Sequence, residues 1–139
     1  EIIPYSDEII NLPHQPEIYV GVLNRREDVI PILDLRRMFD LKKYKNLSDT
    51  AIIITDNGKT RTGFLVDEIV EILNPAENNK LGLKSAQNEA KSEQLKKVVS
   101  KLITVYKEDS IAKTILKIDL NRLLKLIKNI PVTNLKNTQ

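Results

Sequence analysis

The chain has 139 residues, no cysteine and a net charge of +3, with 41% hydrophobic and 29% charged residues. That size and balance fit one ordinary globular domain, exclude disulfides, thiolate metal sites and cysteine nucleophiles, and leave no run near the ~20 apolar residues of a membrane-spanning helix. Aromatic residues are only 4%, and the lysine groups Lys42, Lys43, Lys45 and Lys96, Lys97, Lys101 sit among acidic residues, so no base-stacking nucleic-acid surface is indicated.

Residues 1–16 hold Pro4, Pro13 and Pro16 and read as an extended, winding connector, because proline fixes φ and donates no hydrogen bond. Because the first residue is Glu1, a native start further upstream is expected. Residues 18–23, with Gly21 inside, and residues 28–33 are strand candidates. Pro31 assigns the second to an edge or a bulged position. Asp34 is placed to cap a short helix over residues 35–39. Residues 51–55, with three successive isoleucines, read as a strand buried on both faces.

Asp56-Asn57-Gly58-Lys59 predicts a type I′ hairpin turn, with residues 60–66 as the return strand. Residues 64–73 fit either a helix or two short strands bent at Asp67-Glu68. Residues 74–88 read as a loop and residues 89–97 as a short helix. A second hairpin is predicted from residues 98–106, a turn at Glu108-Asp109-Ser110, and residues 111–118. Asp119 caps an amphipathic helix carrying Leu120, Leu123, Leu124 and Ile127 on one face, and the tail after Pro131 is polar. The strand–Asp–helix pattern of residues 29–41 recurs at residues 114–126, which suggests two similar halves.

Little chemistry is assembled. His14, the one histidine, lies between prolines without a partner in sequence, and no acidic or histidine cluster has the spacing of a metal site. The Asp67-Glu68-Glu71 group reads as solvent-facing charge, and Asp34 and Asp119 are accounted for by capping. An enzyme is therefore not expected.

Tyr19-Val20-Gly21-Val22-Leu23-Asn24-Arg25-Arg26-Glu27-Asp28-Val29-Ile30-Pro31-Ile32-Leu33-Asp34-Leu35-Arg36 resembles the signature of the CheW-like domain: Gly-Val-Ile-Asn-Leu-Arg-Gly, an apolar strand with proline, then Asp-Leu-Arg. Gly63-Phe64-Leu65-Val66-Asp67-Glu68-Ile69-Val70-Glu71-Ile72 is similar to its Gly-x-x-Val-Asp-x-Val signature, and Ile118-Asp119-Leu120-Asn121-Arg122-Leu123-Leu124 to its closing strand and helix. The resemblance implies a mainly β fold of two small five-stranded SH3-like β-barrels packed together, with short helices. Residues 1–128 would form a single domain and residues 129–139 a polar tail. It also implies that residues 64–73 are strand.

By resemblance the function is a non-catalytic adaptor without cofactor, coupling chemoreceptor signalling tips to the regulatory domain of the histidine kinase CheA in the cytoplasm at receptor arrays. Alternatives are a module of a larger CheV- or CheA-type protein and, from a different class, a nucleic-acid-binding barrel. Partner contacts carried over are Glu1, Ile2, Arg26 and Gly63. Two positions depart from the signature: Arg25 replaces its leucine and Glu27 its glycine. The glycine loss is expected to change the turn and leave a charged turn that pairs within itself. The family's first strand should precede Glu1, and an unpaired sheet edge there invites a strand-exchanged homo-oligomer.

Overall fold

The computed structural model describes residues 1–42, 46–72, 82–84, 93–107 and 110–128. Residue 73, the 108–109 turn and the tail after Pro131 lie outside the described residues, as does most of 74–88. The chain divides into two compact units, Glu1–Val70 and Glu71–Ile130. Both are mainly β.

The first unit contains β1 (Ile2–Pro4), β2 (Tyr19–Arg25), β3 (Asp28–Asp34), α1 (Leu35–Met38), a 3₁₀ turn at Leu47–Asp49, β4 (Ala51–Asp56) and β5 (Arg61–Val66). The strands lie in the order β1-β4-β5-β3-β2. All neighbours are antiparallel except β3 and β5. Side chains alternate across each strand, so Leu23, Ile30, Ile32, Ile52, Ile54 and Leu65 form one buried cluster with Ile9. Ile30, Ile32, Ile52 and Leu65 are completely shielded from water. Each contributes about 1.5–3 kcal/mol relative to exposure.

The two outer strands of the sheet are drawn together. Ile10 bridges Val22 of β2, its amide donating at 2.8 Å and its carbonyl accepting at 2.9 Å. Gly21 makes this approach possible, because a Cβ there would lie 2.3 Å from the Ile10 carbonyl oxygen. The Arg25 guanidinium donates to the Glu1 carboxylate, linking β2 to the segment that enters β1. The sheet thereby closes on itself as a small barrel.

Several sequence expectations are corrected here. β3 is an internal strand, although it contains Pro31. The proline sits opposite Val22, whose backbone groups bond Ile10 instead, and the ladder to β5 begins only at Ile32. No donor is therefore missed. The bulge lies on β2, between Tyr19 and Gly21. β4 is not buried on both faces: Ile52 and Ile54 are buried, whereas Ile53 is half-buried. The strand after Gly63 ends at Val66, and residues 68–72 carry no regular structure.

The β4–β5 connection is a hairpin but not a type I′ turn. Gly58 has φ of +83° while Asn57 does not enter the left-handed region. The Asn57 carboxamide oxygen instead accepts from the amides of Lys59 and Thr60. The type I′ geometry occurs at the β2–β3 connection, where Arg26 and Glu27 have φ of +49° and +69°. Loss of the glycine has therefore left the turn in place, with a side chain in a conformation that costs roughly 1–2 kcal/mol per residue.

The second unit contains β6 (Gly82–Lys84), α2 (Glu93–Val98), β7 (Val99–Lys107), β8 (Ser110–Ile118) and α3 (Leu120–Lys128). Its described strands form an antiparallel sheet in the order β6-β7-β8. β6 falls inside the stretch read as loop, where pairing with Leu102–Thr104 overrides a polar local sequence. Val99 packs with Leu95 and Leu116, and Leu123 of α3 is buried. The repeated junction is present in both units. Asp34 accepts from the Arg36 amide at 3.0 Å, and Asp119 from the Arg122 amide at 3.0 Å.

Candidate docking surface

One end of the first barrel gathers the tip of the β2–β3 hairpin, the start of β5 and the residue entering β1. Arg25, Asp28 and Arg61 continue the inward-facing rows of Leu23, Ile30 and Gly63, by strand alternation. With Glu1 they make an ionic plug across the barrel mouth. Glu1 pairs with Arg25 and lies 3.6 Å from Arg61, which is 3.3 Å from Asp28. Two arginines thus meet two carboxylates. Arg25 and Asp28 pair outward to neighbouring strands, not within the turn as expected. Arg25 Nε is buried without a hydrogen-bond partner. This is the position where the family signature has leucine.

The plug leaves Arg26 outside it. Arg26 is exposed and has no ion pair or hydrogen bond among the described residues. Ile2 and Val29 sit beside the plug residues Glu1 and Asp28 and are 45% and 64% exposed. An exposed cation at this barrel end therefore accompanies exposed apolar side chains on β1 and β3. Such a mixture suits a protein partner better than a small polar ligand.

Gly63 lies elsewhere. It is buried, and a Cβ there would come 2.4 Å from Ile32 Cδ1 and 3.2 Å from Ile52 Cγ2. The absent side chain is space that the core isoleucine fills. The structure thus groups Glu1, Ile2 and Arg26 and separates Gly63 from them.

A second charged assembly underlies α1. The guanidinium of Arg36, 2% exposed, donates to both carboxylate oxygens of Asp34 at 3.0 Å and to Asp67 at 3.2 Å. Its hydrogen bonds to Asp34 raise the Arg36 pKa, outweighing the burial that would lower it. Arg37 reaches Glu17 at 2.6 Å and lies 3.7 Å from Asp34. Asp34 is therefore more than a cap, and Asp67 is a structural ion-pair partner, not a solvent-facing charge. The helix it anchors is closed by Asp40 at φ of +55°, with the Leu41 amide donating to the Arg36 carbonyl at 2.7 Å.

A shallow cavity of about 290 Å³ beside this pair is lined by Glu17, Tyr19, Val20, Arg37 and Leu47. Burial raises the Tyr19 phenol above its ordinary value of 10.0. His14 lies in an exposed loop at φ of +60°. Among the described residues no group of three or more histidine or acidic side chains is arranged to hold a metal ion.

The structure is similar to the crystal structure of the scaffolding protein CheW from Thermoanaerobacter tengcongensis. The TM-score is 0.62 at 25% identity, covering 86% of this chain and 76% of that one. The chemotaxis protein CheW of Helicobacter pylori is 32% identical over 62 residues, 45% of this chain and 38% of that protein. The chemotaxis protein CheW of Bacillus subtilis is 36% identical over 53 residues, 38% of this chain and 34% of that protein. In both relatives the match spans well under half of their length. The CheW-like domain family model matches residues 1–128. With both signatures, the mainly β fold and this match in agreement, the chain belongs to the CheW-like domain family.

Proposed function

We propose that this chain is a non-catalytic chemotaxis adaptor that couples the cytoplasmic tip of a chemoreceptor to the histidine kinase CheA. Family membership supports the adaptor role, and the scaffolding protein of similar fold is consistent with it. The observation that carries the docking reading is the barrel end itself. Glu1, Arg25, Asp28 and Arg61 pair with one another across it, while Arg26, Ile2 and Val29 are exposed. A guanidinium fork matches a partner's carboxylate or backbone carbonyls, and the flanking aliphatic side chains provide apolar area. Gly63 acts indirectly on this reading, by letting Ile32 hold β3 and β5 together beneath the hairpin.

The test is titration calorimetry at two salt concentrations against a chemoreceptor signalling tip and, separately, a CheA regulatory domain. Saturable binding to both is expected. Arg26→Ala weakens at least one by about tenfold, ~1.4 kcal/mol, as expected of an interface side chain whose truncation costs more than about 1 kcal/mol. Arg26→Ala leaves thermal stability unchanged, because Arg26 has no partner within the described fold. Absence of binding to either protein by a folded chain overturns the adaptor reading.

A further inference from the structure

The β4–β5 turn holds an asparagine–glycine pair whose hydrogen bonds go beyond what a turn requires. Residues 56–60 are all exposed. The Gly58 amide donates to Asp56 Oδ1 at 2.8 Å. Asn57 Oδ1 accepts from the Lys59 amide at 2.9 Å and the Thr60 amide at 2.8 Å. Nothing lies within 4 Å of the place where a Gly58 Cβ would be. A nucleophile, a base on its proton, a polarised carbonyl and open space are thus assembled within five residues.

We propose that Asn57 is a self-modification site, at which the folded turn converts the asparagine through a cyclic imide to aspartate and isoaspartate. The Gly58 nitrogen attacks Asn57 Cγ as its proton passes to the Asp56 carboxylate. The carbonyl electron pair moves onto Oδ1, where the two backbone amides stabilise the developing charge as donors in an oxyanion hole do. Collapse of this intermediate breaks the bond from Cγ to the side-chain nitrogen, which takes the proton from Asp56 and leaves as ammonia. Water then opens the five-membered imide at either carbonyl. One route gives aspartate and the other isoaspartate, whose backbone is longer by one carbon. Water is consumed and ammonia released, with no oxidant or further reactant.

Conversion adds a negative charge to the hairpin whose first pair is Asp56 opposite Arg61. Arg61 also serves Glu1 and Asp28 in the plug. The modified residue therefore stands at the same barrel end as Arg26. An effect of conversion on partner binding rests on the docking reading above; the modification itself does not.

The experiment incubates the full chain at neutral pH and follows residue 57 by peptide mapping that separates asparagine, aspartate and isoaspartate. A synthetic peptide spanning residues 52–64 is the unstructured reference. The folded chain converts faster than the peptide. Asp56→Ser removes the base, and Asp56→Asn keeps its shape and an acceptor oxygen. Both slow the folded chain by about tenfold, within the ~10²-fold that a positioned base supplies in an enzyme, and leave the peptide rate nearly unchanged. Conversion no faster than in the peptide, or equal rates with and without Asp56, overturns the proposal. Because the readout is covalent, it gives the same answer whether or not the chain binds chemoreceptor or kinase.

Discussion

Replacing Asp34 by asparagine removes one charge from the most deeply buried ion pair of the first unit and changes almost nothing else. The asparagine keeps the oxygen that accepts from the Arg36 amide, so the cap on α1 survives. The second oxygen becomes an amino group facing Arg36 at 3.0 Å, donor against donor. Both side chains are 3% exposed, so water cannot take over the lost bond. Removing one partner of a buried pair costs about 3–5 kcal/mol. Asp67, at 3.2 Å and 28% exposed, still faces the guanidinium, which places the expected loss near the lower end, ~3 kcal/mol. Equilibrium urea unfolding followed by circular dichroism measures it, with Glu17→Gln as the exposed control. Asp67→Asn, whose side chain is partly solvated, should cost about 1 kcal/mol. An Asp34→Asn loss no larger than that of Glu17→Gln would refute the assignment of Arg36 as a buried charge dependent on Asp34.

Glu27→Gly should stabilise the chain. It relieves about 1–2 kcal/mol of left-handed strain and returns roughly 0.5–1 kcal/mol of unfolded-state entropy, a net gain of about 0.5–1 kcal/mol visible as a higher urea midpoint. Gly63→Ala should destabilise by about 1–3 kcal/mol through overpacking; adding Ile32→Val, which removes the clashing Cδ1, should restore much of that loss in a double-mutant cycle. Tyr19 gives a pH signature. Its phenol is raised in the folded state, so as pH climbs past 10 the unfolded chain releases this proton first and stability falls. Urea titrations between neutral pH and pH 11 should show a shallower alkaline decline for Tyr19→Phe than for the parent chain.

Local patterning made much of this structure legible. Apolar, β-branched runs located β2 to β4, the Asn-Gly turn located β5 as a return strand, and the two Asp-capped junctions were readable because a cap and its amide are two or three residues apart. What local runs could not convey was sheet order. Pro31 argued against an internal strand, yet its missing donor falls where no ladder exists, a fact that depends on Ile10 pairing with Val22. The Arg36–Asp67 contact joins residues 31 positions apart and was invisible to spacing rules. The plug was within reach: a step of two residues along the inward rows from Leu23, Ile30 and Gly63 arrives at Arg25, Asp28 and Arg61. Reading Glu27 only as a departure from the family pattern concealed that the turn persists at a cost.

The closure of the first barrel carries a kinetic consequence. Its two hairpins, β2–β3 and β4–β5, join neighbours in sequence, whereas β1 pairs across the whole unit, Ile2 with Ile53. Such distant pairings form after local ones because the intervening chain must first be ordered. The hairpins therefore assemble early, and β1 seals the barrel last. A three-residue strand containing a proline offers few amides to hold that seal, so native-state hydrogen exchange should release β1 and the Ile10 bridge well before the amides shared by β4 and β5. The end of the first barrel that the docking proposal assigns to a partner is then also the end whose seam opens first.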